Sequence, residues 1–133
     1  MAKKVFIDAE FTGLHKLSTL ISIALVCEDG NEFYAEFDDY DELQINEWLR
    51  ENVIAKLILG GYDFNRDYKP NENLVKVKGD TELIKQALTD WLGKYKDEGV
   101  ELWGDVPSDD TIHFRSIFGN AWDVPQHVNY MVF

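Results

Sequence analysis

Asp8 and Glu10 are the residues of this 133-residue chain whose type and spacing most directly suggest chemistry. They end the apolar run Val5-Phe6-Ile7 and are followed by Thr12-Gly13-Leu14. On a β-strand, residues i and i+2 share a face with their backbones about 6.5–7 Å apart. Asp8 and Glu10 would then converge on one spot, with Val5 and Ile7 on the opposite face. Convergent carboxylates repel each other and lose hydration, a cost that a bound cation offsets. Hard oxygen ligands of this kind suit Mg²⁺ or Mn²⁺. Acidic residues also end strands simply because the chain has met water. The apolar, β-branched approach and Gly13, which lets the backbone turn close to a ligand, favour the metal.

A site for two metals about 3.5–4 Å apart needs further carboxylates. The later candidates are Asp105, Asp109 and Asp110, within Trp103-Gly104-Asp105-Val106-Pro107-Ser108-Asp109-Asp110. Aspartate in a first helical turn is also favoured by the helix dipole alone. These residues taken by themselves leave the choice open.

These side chains require a scaffold. Residues 3–8, 20–27 and 32–37 are predicted strands, with Asp29-Gly30 as the turn between the last two, giving a three-stranded antiparallel meander. Ile45, Trp48, Leu49, Val53 and Leu57 fall on one face of a predicted helix that Gly60-Gly61 ends. Residues 62–73 are polar and are expected to form a loop, followed by a short extended segment over 74–78. Asp80 is an expected N-cap for a helix whose stripe runs from Leu83 to Tyr95. A fourth strand at 100–103, reached through a helical crossover, is expected to lie parallel. Ser108 is the expected cap of a helix that Gly119 stops, and 128–133 is the fifth predicted strand. The pattern by itself supports an α/β domain with a mixed sheet.

Length and composition set limits. The chain is expected to be one domain, residues 1–133, with a real core. A hydrophobic share of 45% and an aromatic share of 14% argue against disorder. No apolar run approaches the roughly 20 residues needed to cross a bilayer, so no membrane association is expected. Cys27 stands alone, which excludes an intrachain disulfide and fits a cytoplasmic location. It ends an apolar strand and is expected to be a buried, inert thiol. The net charge of −12 opposes ordinary nucleic-acid binding, in which a basic surface supplies most of the affinity. It does not oppose an enzyme whose bound metals neutralise phosphate locally.

The text from Val5 to Leu14 resembles the first motif of the DEDD (proofreading-exonuclease-like) 3′–5′ exonucleases, an apolar strand followed by Asp-x-Glu-x-Thr-Gly. Leu20 to Val26 and Phe33 to Phe37 are similar to the small bacterial and phage 3′–5′ exoribonuclease-like branch. The resemblance implies a ribonuclease-H-like α/β fold. It implies that Asp8 and Glu10 hold two divalent metals, Mg²⁺ or Mn²⁺, and that Phe11, Thr12, Gly13, Leu14 and His15 meet the 3′-terminal nucleotide. Aligning Trp103 to Gly119 with the second motif puts Asp110 in the ligand position, with Asp105 in reserve or as a strand-end carboxylate. The implied partner is the 3′ end of a single-stranded nucleic acid, RNA before DNA, and a homodimer is the assembly found among relatives. Phe11, His15 and Tyr130 offer faces for a terminal base, although Phe11 equally suits the core and His15 a plain loop. Trp48, Trp91, Trp103 and Trp122 are expected in the core, and His113 on a half-buried or surface helical position.

The chain departs from the family at its end. The third motif sets a His or Tyr four or five residues before a last Asp, on a helix beyond the fifth strand. His127 is followed at that spacing only by Met131 and Val132. The expectation is therefore a chain that lacks this helix and cleaves slowly or not at all. The rival from another class is a non-catalytic interaction module that kept the fold. A second rival cuts internally as ribonuclease H does, but the Asp8-x-Glu10 spacing argues against it.

Overall fold

The computed structural model describes residues 1–13, 17–104, 107–119 and 123–130. Strand β1 (Lys3–Phe11) alternates without a break: Val5, Ile7 and Ala9 are buried while Phe6, Asp8 and Glu10 face outward. It pairs antiparallel with β2 (Leu20–Cys27), which pairs antiparallel with β3 (Glu32–Phe37). The expected meander is therefore present, with β1 three residues longer than predicted because pairing continues through the acid pair.

Between β3 and the next strand lie two short helices, α1 (Glu47–Asn52) and α2 (Phe64–Asp67). Strand β4 (Leu74–Gly79) adds parallel to β3, so the predicted extended segment is a full edge strand. Helix α3 (Thr81–Gly93) follows, with the Asp80 carboxylate accepting from Leu83 N at 2.9 Å as the expected N-cap. Strand β5 (Val100–Gly104) lies parallel to β1, helix α4 (Pro107–Phe118) follows, and β6 (Val128–Tyr130) lies parallel to β5. The six strands run in the order β4-β3-β2-β1-β5-β6, which makes this an α/β protein with a mixed sheet.

One sheet face carries the main core. Ile84, Leu88, Trp91 and Leu92 of α3 and Phe114, Ile117 and Phe118 of α4 pack with Val5, Ile7, Leu25, Phe33 and Leu102. Each such side chain contributes about 1.5–3 kcal/mol on burial. The second cluster is small: Ile21 with Leu49 and Val53, flanked by Ile45, Ile54 and Leu57. It exists because of an irregularity in the β1–β2 ladder, where Glu10 faces Ser22 but Phe11 faces Leu20. Ile21 is the extra residue, and a bulge of this kind re-aims side chains at a sheet's end.

Four expectations require correction. Residues 62–73, expected as a loop, contain helix α2, because the Asp63 carboxylate accepts from Asn65 N and Arg66 N and caps a single turn. The single helix over 45–57 is instead α1 followed by a 3₁₀ turn at Ile54–Lys56, with a separate 3₁₀ turn at Glu42–Gln44 before it. Asn46 restarts the helix by accepting from Leu49 N, and beyond Lys56 the amides of Ile58 and Leu59 bond to Glu36 and not to a helical carbonyl. Trp48 is 64% exposed because only Leu49 and Val53 reach the sheet, and Trp103 is only partly buried. Helix α4 begins at Pro107, one residue before the expected Ser108 cap, in keeping with proline's fit to a first helical turn. The Gly119 stop holds, at φ +86°. Cys27 and Trp91 are buried as expected, and Trp122 lies outside the described residues. Among the described residues no helix is long and apolar enough to cross a membrane.

Candidate functional site

Asp8 and Glu10 stand on the outward face of β1, away from the main core. Their neighbours across the ladder are small: Ala24 beside Asp8 and Ser22 beside Glu10. The next strand carries larger groups in the same two rows, Tyr34 beyond Ala24 and Glu36 beyond Ser22. The small pair on β2 thus leaves a depression between the acids and β3. It is a cavity of about 270 Å³, roofed by Asn52, Val53, Lys56 and Leu57 from the end of α1 and the following 3₁₀ turn. On its other side Asp8 borders a second, more apolar depression of about 530 Å³ formed by Phe6, Val26, Trp103 and Gly104. The Lys4 ammonium lies 5.7 Å from the Trp103 ring centre there.

The acid pair is electrostatically unfavourable in the absence of a cation. Partial burial first, and the neighbouring Asp8 charge second, raise the Glu10 carboxyl above the ordinary range. The Tyr34 phenol is also pushed up, first by burial and then by Glu36, to which it donates at 2.6 Å. Tyr34 is therefore a neutral wall and not a base.

Asp110 approaches the β1–β5 seam from α4, on the side where Ile7 points. It is 4% exposed, and its carboxylate fills the space left by the missing side chain of Gly104. Gly104 pairs with Ile7, the residue before Asp8, so the β1–β5 seam brings Asp110 to the acid-bearing end of β1. Carboxylates suit a hard divalent cation; Asp8 and Glu10 share one face of β1, whereas the Asp110 carboxylate lies beside Ile7 on the other side of the strand. Among the described residues, no three His, Cys, Asp or Glu side chains already lie together as a metal site. Asp105, Leu14 and His15 fall outside the described residues, as do the side chains of Asp109 and Tyr130.

The predicted substrate residues after the acid pair divide. Phe11 is partly buried and stacks on His113, ring centres 4.1 Å apart and planes 11° apart, so one of its faces is already covered. His113 is 6% exposed, more buried than expected, and its Nε2 lies 2.7 Å from Ser18 Oγ. Thr12 is 7% exposed, and its hydroxyl donates to Gln44 Oε1 at 2.5 Å while accepting from Thr19 N at 2.8 Å. Gly13 follows at an intermediate exposure. Gln44 accepts from Thr19 Oγ1 as well, at 2.9 Å, and donates to Leu17 O at 2.7 Å. Its side chain thus ties both ends of the segment joining β1 to β2.

Gln44, Glu36, Lys56 and Gly104 surround the site and were not singled out from the sequence. Glu36 is fully buried, accepting from Tyr34 Oη, Ile58 N and Leu59 N. Strand alternation assigns it to the face opposite Phe33 and Phe37, which would ordinarily mean solvent. A roof tethered 22 and 23 positions later, at Ile58 and Leu59, is what buries it.

A further cavity of about 660 Å³ opens at the β4 edge, lined by Tyr62, Arg66 and Lys76 among others. Its Arg66 is engaged with Asp67 at 2.7 Å, and neither Asp8 nor Glu10 lines it. The acid-lined depression is therefore the better candidate.

No protein-family model matches the chain. Two curated proteins of Mycobacterium tuberculosis, from strains CDC 1551 and H37Rv and each named a 3′–5′ exoribonuclease, are similar to it. Each is 31% identical over 125 residues, covering 94% of this chain and 67% of the relative.

Proposed function

This chain belongs to the family of those two 3′–5′ exoribonucleases, and we propose that it removes nucleotides from the 3′ end of single-stranded RNA with two divalent metal ions, on a ribonuclease-H-like variant of the mixed sheet. The observation that carries the reading is the placement of Asp8 and Glu10 together on one outward strand face, beside an open cavity, with Asp110 lodged at the adjoining strand end.

In this reading Asp8, Glu10 and Asp110 hold Mg²⁺ or Mn²⁺, with Asp105 in reserve. Metals held there would supply a water of lowered pKa and a positive charge for the departing 3′ oxygen. The chain's own residues do the rest. Burial and the Asp8 charge raise the Glu10 carboxyl, a strain that a cation held between the two acids would relieve. Ala24 and Ser22 keep the space before the acids clear for the terminal nucleotide. Gln44 ties Thr12 to Thr19 beside the acid-bearing end of β1, and Phe11, stacked on His113 and packed against the core, fixes the backbone there.

The test is a 5′-labelled oligoribonucleotide incubated with Mn²⁺. A ladder shortening one nucleotide at a time, lost in Asp8→Ala, supports the reading. Internal cuts, or shortening indifferent to Asp8→Ala, overturn it.

A second reading, a metal-free interaction module on the same fold, draws on the absence of a ready-made three-ligand cluster among the described residues. Calorimetry with Mn²⁺ separates the two, since such a module gives no heat that depends on Asp8.

A further inference from the structure

The cavity before Asp8 and Glu10 has a cation in its roof. Lys56 closes the 3₁₀ turn Ile54–Lys56 and lines the same 270 Å³ space as the two acids and Asn52. The chain has 25 acidic against 13 basic side chains. Even so, Lys56 forms no ion pair among the described residues, unlike Lys3, which pairs with Glu98, and Arg66, which pairs with Asp67. A lysine present merely to neutralise Asp8 or Glu10 would sit within bonding distance of one of them.

The position of Lys56 is firmly held. On one side, Val53 packs with Leu49 onto Ile21, the bulged residue of β2. On the other, Ile58 N and Leu59 N donate to the buried Glu36 carboxylate at 2.8 Å and 3.2 Å. Glu36 adjoins Ser22, and Ser22 adjoins Glu10. The backbone that carries the cation is thus fastened to the same lateral row of the sheet as the acid. An exposed side chain on a fixed stem above the cavity is arranged to meet a ligand from the solvent side.

We infer that Lys56 is a substrate-binding residue, whose ammonium takes a phosphate of the RNA strand entering the acid-lined cavity. This rests on the exoribonuclease reading and deepens it. A chain of charge −12 repels a polyanion at a distance. A cation in the cavity lining offsets that repulsion locally, beside the two acids. Asn52, whose Nδ2 is already bonded to Trp48 O, is the second polar group of this roof.

The experiment measures 3′ shortening of a labelled oligoribonucleotide in Mn²⁺ over a series of KCl concentrations. It compares the wild type with Lys56→Gln, Lys56→Arg and Lys96→Gln, an exposed lysine away from the acid pair. For Lys56→Gln the expected result is a KM raised about ten-fold, the loss of one charge-assisted contact. kcat should change little, and the slope of log(1/KM) against log[KCl] should become shallower by about 0.7, one single-strand phosphate contact. Lys56→Arg should recover most of the affinity, and Lys96→Gln should behave as wild type. A Lys56→Gln protein with wild-type KM and salt slope overturns this inference alone. A wild type that shortens no RNA overturns the exoribonuclease reading, and this inference with it.

Discussion

The carboxylate of Asp110 occupies the place where a side chain on Gly104 would stand: a Cβ there would lie 2.7 Å from Asp110 Oδ2 and 3.3 Å from Ile7 Cγ2. One glycine at the end of β5 thus admits an acid from α4 to the strand that carries Asp8. Gly104→Ala must push Asp110 aside, at a cost of about 1–3 kcal/mol for overpacking. Urea unfolding should show that loss, and Mn²⁺ titration should show weakened binding. Unchanged metal affinity in a folded Gly104→Ala protein would remove Asp110 from the ligand set.

Glu10 sets a pH dependence. Its folded-state pKa lies above the ordinary 4.5, so ionising it costs the folded protein more than the unfolded chain. That cost is absent below the unfolded pKa and is complete once pH has risen through the folded value. Without metal, Glu10→Gln should match wild type in Tm at pH 4 and be slightly more stable at pH 7, with the gain kept small by solvent screening. Mn²⁺ should reverse the order at pH 7 by stabilising only the wild type. Thermal melts at the two pH values, with and without EDTA, measure both effects.

Glu36 is predicted to be the most sensitive polar residue for stability. Its buried carboxylate serves Tyr34 Oη and two amides of the roof. Glu36→Ala leaves all three donors without a partner and should cost about 3 kcal/mol or more. Glu36→Gln keeps one acceptor and should cost roughly half as much. Denaturant midpoints decide this, and a Glu36→Ala loss below 1 kcal/mol, the scale of a surface contact, would contradict it.

Gln44 holds the segment after the acid pair through Thr12, Thr19 and Leu17. Gln44→Leu removes those bonds at about 1–3 kcal/mol. Amide exchange at Thr19, whose N–H donates to Thr12 Oγ1, should quicken, while exchange in β3 and α3 stays slow. Equal acceleration throughout would mean that the segment is not held locally.

Much of the framework was legible in the sequence because its signals are local. β2 and β3 matched residue for residue, since apolar runs bounded by a turn dipeptide need no distant partner to be recognised. The Asp80 cap likewise depends on a bond three residues away. The helix expected over 45–57 is shorter because its periodicity described the face that packs but not the Asn46 cap or the pull of Glu36 on the chain beyond it.

By itself, the sequence determined that Asp8 and Glu10 share a face, because strand alternation allows nothing else. It also determined that an α/β core forms around the strand and helix stripes. Tertiary structure alone decided what stands around that pair. The β2 register put Ala24 and Ser22 beside the acids, the bulge at Ile21 gave α1 its anchor, and Gly104 admitted Asp110. Lys56 came over the cavity only because Glu36 tethers the chain 22 residues beyond it. Such contacts join residues far apart in the chain, so their geometry depends on packing and register and no local pattern records it.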